Sequence, residues 1–130
     1  MKKTLLFVWF VCSTLFAQPA VASDTTCINF HKGKFYYLDS LNNKVLVIRK
    51  NKKQIEYNEG TTVKTVLKLK WINECEYTLK QIWSDSKAQR KYNNRTSTTI
   101  MKPIDENTYE YNCGCKDEMK RAVKGIMKKR

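Results

Sequence analysis

Residues 62–72 alternate between two kinds of side chain, and this alternation constrains the fold more than any other feature of the chain. One face carries Val63, Thr65, Leu67, Leu69 and Trp71. The other face carries Lys64, Lys68 and Lys70. Successive side chains of a β-strand point to opposite faces of the sheet. The segment is therefore predicted to be a half-buried strand with a lysine-coated outer side.

Six further short segments, rich in β-branched and aromatic residues, are separated by Asn-, Asp- and Gly-containing turns. They cover residues 35–38, 45–48, 54–57, 75–83, 98–104 and 108–113. Strands joined by hairpins must close or stack to bury their apolar faces. We therefore predict a mainly β fold, either a small antiparallel barrel or a curled sheet.

Residues 116–128 change to a helical period, with Met119, Ala122, Val123, Ile126 and Met127 on one side. This spacing predicts a C-terminal amphipathic helix that packs on the sheet. Its opposite side is cationic, and it is either simply solvated or a candidate anion-binding surface. The candidate residues are Lys120, Arg121, Lys124 and Lys128.

Residues 1–22 have the three parts of a signal peptide. Lys2 and Lys3 precede the apolar run 5–17, and Ala20-Val21-Ala22 is a small-x-small cleavage site. The alternatives are an uncleaved membrane anchor and a lipoprotein with its lipid on Cys27. We expect export to the periplasm or the extracellular space, with residues 23–130 forming one β-rich domain.

The chain is strongly basic, with 25 Lys and Arg residues against 12 Asp and Glu residues. Loss of Lys2 and Lys3 with the signal peptide lowers the formal net charge from +13 to +11. Such a charge bears on partners rather than on fold. For an exported protein it indicates an anionic lipid surface or envelope polymer as a possible partner, and not nucleic acid.

Four cysteines follow the signal peptide, namely Cys27, Cys75, Cys113 and Cys115. An even number in a small exported domain indicates disulfides, and four cysteines allow three connectivities. The Cys113-Gly114-Cys115 element has three interpretations: structural cysteines, in separate bridges or as one ordinary bridge plus a spare pair; a redox pair; or a soft-metal site with Met119. Separate structural roles are favoured, because adjacent inward positions of a strand are near the upper distance for a direct bridge.

Two segments carry a resemblance to a known group of proteins. Residues 27–35 have the form C-x-x-F-x-x-G-x-F, and residues 71–79 have the form W-x-x-x-C-x-Y-x-L. Together they resemble small, uncharacterised, lipocalin-like exported proteins of Bacteroidetes type. The resemblance implies a β-barrel-like fold and no established activity. Because Cys27 and Cys75 belong to these two motifs, we predict that they form a disulfide.

The sequence offers little for catalysis. His31 is the only histidine and lies in no nucleophile pattern, and the chain has no phosphate-binding loop and no zinc spacing. We therefore predict a non-enzymatic envelope binding module, without metal or cofactor, that holds a small apolar ligand or a segment of an envelope protein. The candidate ligand-binding residues are Trp71, Tyr77 and Trp83. The alternatives are a protein that acts through its cationic surface and a thiol-redox protein that uses Cys113 and Cys115.

We predict that the mature chain begins at Ser23, because signal peptidase cuts after a small-x-small site such as Ala20-Val21-Ala22. N-terminal sequencing and intact mass of the exported protein check this. A chain that starts at Met1, or one that carries a lipid on Cys27, would contradict it.

Overall fold

The computed structural model describes residues 26–114 and 123–130. The predicted signal peptide and residues 116–122 of the predicted helix lie outside the described residues. The described residues form eight β-strands and two short 3₁₀ helices, Cys27–Phe30 and Gln89–Tyr92. The strands are β1 (Gly33–Leu38), β2 (Lys44–Arg49), β3 (Lys53–Asn58), β4 (Lys64–Asn73), β5 (Glu76–Ser84), β6 (Thr96–Asp105), β7 (Thr108–Gly114) and β8 (Val123–Lys129).

Each strand pairs antiparallel with the next, and β8 returns to pair with β1, so that the strands close into an up-and-down barrel. Closure removes the sheet edges, which would otherwise present unpaired backbone groups. The prediction of a mainly β antiparallel barrel is confirmed, and each of the seven predicted strand segments overlaps one of β1–β7. The alternation in β4 is also confirmed, because Leu69 is buried whereas Lys64, Lys68 and Lys70 are exposed.

The prediction of a C-terminal helix is wrong for residues 123–128, because these residues lie in β8. β8 pairs with β7 from Val123 to Lys128. The alternation of a strand divides the predicted apolar stripe, so that Met127 is buried in the barrel and Ile126 is exposed on its outside. A short isolated helix is marginal in water, whereas a strand at this position completes the backbone hydrogen bonding of its two neighbours.

Gly125 lies in β8 directly opposite Tyr111 of β7. A Cβ atom at Gly125 would overlap the Tyr111 ring, so this close approach requires glycine. The Tyr111 ring in turn meets the Tyr37 ring edge to face, with 5.9 Å between the centroids. Gly125 therefore gives room to a tyrosine of the barrel interior.

The 3₁₀ helix Cys27–Phe30 closes one end of the barrel. Phe30 is fully buried and packs edge to face against Tyr109, with 4.9 Å between the ring centroids. A disulfide between Cys27 and Cys75, whose Cα atoms are 5.2 Å apart, joins this helix to the β4–β5 turn. The predicted pairing of these two cysteines is confirmed.

His31 stabilises the same closed end. Its ring stacks on Trp71 with 3.5 Å between the centroids, and its Nε2 donates a hydrogen bond to the carbonyl oxygen of Glu74 at 2.7 Å. These contacts give the single histidine a packing role.

The disulfide should make a large contribution to stability, because it closes a loop with a sequence separation of 48. In the chain-entropy model such a loop stabilises the folded state by about 4 kcal/mol. We expect the Cys27→Ser/Cys75→Ser variant to lose roughly that much in the free energy of unfolding, measured by urea titration. A loss below about 1 kcal/mol would show that the 3₁₀ helix holds its place without the bridge.

Candidate ligand-binding cavity

Arg49, the last residue of β2, points into the closed end of the barrel and is 2% exposed. Its Nη1 donates to the carbonyl oxygen of Phe30 at 2.7 Å, and its Nε donates to Gln54 Oε1 at 2.9 Å. Its Nη2 donates to the hydroxyl groups of Tyr77 and Tyr109 at 3.1 and 3.0 Å. The guanidinium group therefore holds together the 3₁₀ helix, β3, β5 and β7.

All four of these acceptors are uncharged, so Arg49 keeps its positive charge through hydrogen bonds and aromatic faces. The guanidinium carbon lies 4.8 Å from the Tyr77 ring centroid and 5.1 Å from that of Phe35, which are cation–π distances. Burial acts to lower the pKa of Arg49, but Tyr77 and Tyr109 outweigh burial and raise that pKa above its usual value.

Glu56 connects to this network through Gln54. Gln54 Nε2 donates to Glu56 Oε1 at 2.8 Å, and the Tyr37 hydroxyl donates to Glu56 Oε2 at 3.4 Å. Burial raises the pKa of Glu56 above its usual value, although the Gln54 and Tyr37 hydrogen bonds and the charge of Arg49 act to lower it. The interior thus contains one arginine and one glutamate that are separated by a glutamine.

A cavity of about 190 Å³ lies beyond this network, in the half of the barrel opposite the 3₁₀ helix Cys27–Phe30. Its apolar wall includes Leu79, Val123 and Met127. Its polar wall includes Tyr37, Glu56, Thr99, Tyr111 and Cys113. Tyr77, at its base, separates it from the filled closed end.

Two tyrosines of the cavity wall, Tyr37 and Tyr111, keep their protons at physiological pH. Burial and the charge of Glu56 raise the pKa of Tyr37 far above its usual value. Burial and, to a smaller extent, the charge of Cys113 raise the pKa of Tyr111 to about 12. Each hydroxyl group therefore keeps a proton for hydrogen bonding, and that of Tyr37 is donated to Glu56.

A wider hollow of about 480 Å³ forms the mouth of the barrel and shares Tyr37 and Glu56 with the cavity. Asp39 holds its rim: Oδ1 accepts from the backbone N–H groups of Leu41 and Asn43, and Oδ2 accepts from the side chains of Asn43 and Asn58. Desolvation acts to raise the pKa of Asp39, but these hydrogen bonds outweigh it and lower the pKa. Asp39 therefore orders the turn between β1 and β2.

The structure separates the three predicted ligand-binding residues. Tyr77 is buried at the base of the cavity, and Trp71 packs against the closed end beneath His31. Trp83 faces outward and is 44% exposed. Trp83 does not share the inner face of β5 with Tyr77, because the register slips by one residue between the Leu67–Gln81 and Val66–Trp83 pairs. Because of this β-bulge, the residues of β5 that follow Gln81 face the opposite side of the sheet from the one that strict alternation would give.

The remaining predicted residues are placed as follows. Cys113 borders the cavity and forms no disulfide with another described cysteine. Lys124 and Lys128 are exposed on the outside of β8. Cys115, Lys120 and Arg121 lie outside the described residues, so neither the pairing of Cys113 with Cys115 nor the four-residue cationic surface is described.

Five polar residues of the interior were not identified from the sequence, namely Tyr37, Arg49, Gln54, Glu56 and Tyr111. A signal for them exists in the alternation. Arg49 shares a face with Val45 and Val47 in β2, and all three are buried. Polar residues that fall on the buried face of a strand are the pattern that would have identified this network.

Comparison with protein families, curated proteins and solved structures finds no match to this chain. Within residues 26–114 and 123–130, no group of three or more His, Cys, Asp and Glu residues is arranged to hold a metal ion. No helix in this part of the chain has the length and hydropathy of a membrane span. The function therefore has to be inferred from the geometry of the cavity.

The raised pKa of Glu56 predicts that the protein loses stability as the pH rises. Between the usual glutamate value of 4.5 and the raised value, the folded state holds a proton that the unfolded state has released. The free energy of unfolding should therefore fall through this window. In the Glu56→Gln variant the free energy of unfolding should decrease less with pH, and the protein should be more stable at neutral pH. Urea titrations over a pH series measure both.

Glu59→Gln, which changes an exposed glutamate three residues away, is the matched control and should leave the fall in place. A Glu56→Gln variant with the same pH profile as the unaltered protein would show that the pKa of Glu56 does not differ between the folded and unfolded states.

Proposed function

We propose that this protein is a non-enzymatic binding module that holds one small ligand in the open half of its barrel. The observation that carries the proposal is the cavity of about 190 Å³ beside Glu56. An eight-stranded barrel can just hold one small ligand in its interior. The cavity joins the wider hollow at the mouth through Tyr37 and Glu56, so a ligand can enter from solvent.

The volume limits the ligand. An engineered cavity of roughly 150 Å³ accommodates benzene, whereas pockets for drug-sized molecules have roughly 300–1,000 Å³. The expected ligand is therefore about as large as a six-membered ring with one short substituent. This size favours a small molecule over a segment of a partner protein.

The wall chemistry suggests what the ligand carries. Leu79, Val123 and Met127 offer contacts to an apolar body. Glu56 accepts two hydrogen bonds, and a carboxylate has about four acceptor sites. The ligand should therefore present a hydrogen-bond donor, such as an amine or a hydroxyl group, to Glu56.

We also propose that the mature protein works outside the cytosol. The Cys27–Cys75 disulfide supports this, since such bonds persist in oxidising compartments. A cysteine in a disulfide has no thiol for a lipid, which favours a cleaved signal peptide over a lipoprotein. Membership of the lipocalin-like exported proteins and a redox role for Cys113 and Cys115 both stay predictions.

The proposal can be tested with methyl NMR spectra of the mature protein and three probes of similar size: benzylamine, benzyl alcohol and benzoate. We expect the amine and the alcohol to shift the methyl signals of Leu79 and Met127, whereas benzoate, which has no donor group at neutral pH, leaves them unchanged. Equal binding of benzoate would contradict the assigned role of Glu56.

A pair of variants tests the location. Thr99 is buried and faces the cavity, whereas Thr98 lies next to it on the opposite face of β6. Thr99→Phe places a ring of ligand size in the cavity and should weaken binding at least about tenfold, since it takes the ligand's volume. Thr98→Phe should have no effect. Equal binding by both variants, or no binding of any probe by the unaltered protein, would refute the proposal.

A further inference from the structure

The outer wall of the barrel carries a row of three lysines on adjacent strands. Lys53 of β3 is directly opposite Lys68 of β4, and Lys68 is directly opposite Lys80 of β5. All three side chains are exposed, and the next position in the row is Thr96 of β6. No acidic residue is therefore opposite any member of this lysine row.

The lysine row opposes folding and has no protective purpose at this place. Directly opposite residues of antiparallel strands have Cβ atoms about 4.5–5.5 Å apart, and like charges there are destabilising. Lysines often guard a free sheet edge against aggregation. However, β3, β4 and β5 are paired on both sides in a closed barrel and have no free edge.

An apolar row runs beside the lysine row on the same outer wall. Ile48 of β2 is opposite Ile55 of β3, Ile55 is opposite Val66 of β4, and Val66 is opposite Trp83 of β5. Trp83 and its neighbour Ile82 are each 44% exposed. The β-bulge that turns Trp83 outward therefore completes a stripe of apolar side chains next to a stripe of positive charge.

We propose that this wall is a docking surface for an anionic lipid bilayer. The lysine row (Lys53, Lys68 and Lys80) would lie against the phosphate groups, where each basic residue strengthens binding roughly fivefold. Trp83, at the end of the apolar row, would enter the interfacial layer, in which tryptophan is the preferred aromatic residue together with tyrosine.

A bilayer fits this wall better than a soluble anionic polymer does. A polymer would neutralise the lysine row but would leave Ile82 and Trp83 in water, whereas a bilayer accommodates both rows together. The surface is also separate from the cavity, since it lies on the side wall of the barrel and the mouth lies at one end. Docking therefore does not depend on the proposed cavity ligand.

The experiment is flotation of the mature protein with vesicles of phosphatidylcholine, with and without phosphatidylglycerol, at physiological salt. We expect binding only to the anionic vesicles. The Lys53→Gln/Lys68→Gln/Lys80→Gln variant should bind on the order of 100-fold more weakly. It should also melt at a higher temperature at low salt, since the repulsion is removed, so a loss of binding cannot be attributed to unfolding.

The matched control removes the same charge from the opposite side of the barrel, as Lys102→Gln/Lys124→Gln/Lys128→Gln on β6 and β8. It should weaken binding less than about tenfold, because only the long-range attraction falls. Equal loss in the two variants would show that net charge alone is responsible and would overturn the proposal. A larger loss in the control would overturn it in favour of the β8 side.

Trp83 distinguishes a bilayer from a polymer. Trp71→Phe leaves Trp83 as the only tryptophan of the mature chain, and its emission should shift to the blue on anionic vesicles but not on soluble polyglutamate. Binding of both anions with the same affinity and an unchanged Trp83 emission would identify a polymer surface instead. Failure of the unaltered protein to float would also overturn the proposal.

Discussion

The buried guanidinium group of Arg49 is the interaction on which the rest of the barrel depends. A buried charge costs several kcal/mol unless hydrogen bonds compensate it. Phe30, Gln54, Tyr77 and Tyr109 supply four acceptors from separate parts of the chain, and each bond to a charged group is worth about 1.5–3 kcal/mol. These bonds fix where the 3₁₀ helix enters the barrel. The Cys27–Cys75 disulfide then keeps that helix in place when the barrel fluctuates.

The same network explains why the two halves of the barrel differ. In the closed half, aromatic rings and the 3₁₀ helix fill the space around Arg49. Gln54 also donates a hydrogen bond to Glu56, whose carboxyl group lies at the boundary between the filled core and the cavity. An eight-stranded barrel has an interior that side chains can just fill or that can hold one small ligand. In this barrel, side chains fill the closed end, and the other end has room for one small ligand.

The alternation of side chains predicted the antiparallel barrel and most of the residues that point into it, because strands with one apolar face have few other ways to bury a core. It failed in two places for physical reasons. Residues 123–128 fit both a helical and a strand period, and only the need of β1 and β7 for a partner decides between them. The bulge that turns Trp83 outward depends on the pairing of β4 with β5, which a single strand does not contain. The interior arginine was missed for another reason: in β2, Ile48 is exposed while Arg49 is buried, so residue preference without the alternation selects the wrong face.

Two places in this protein depart from what stability alone would favour, and they lie on different surfaces. Burial raises the pKa of Glu56 inside the barrel, and Lys53, Lys68 and Lys80 are like charges in direct opposition. Departures of this kind from local rules are expected at functional or strained sites. The Arg49 network and the disulfide supply stability at the closed end. The network adjoins both places, because Gln54 donates to Glu56 and directly follows Lys53 in β3. The stabilising contacts of the closed end therefore have to offset both unfavourable charge arrangements.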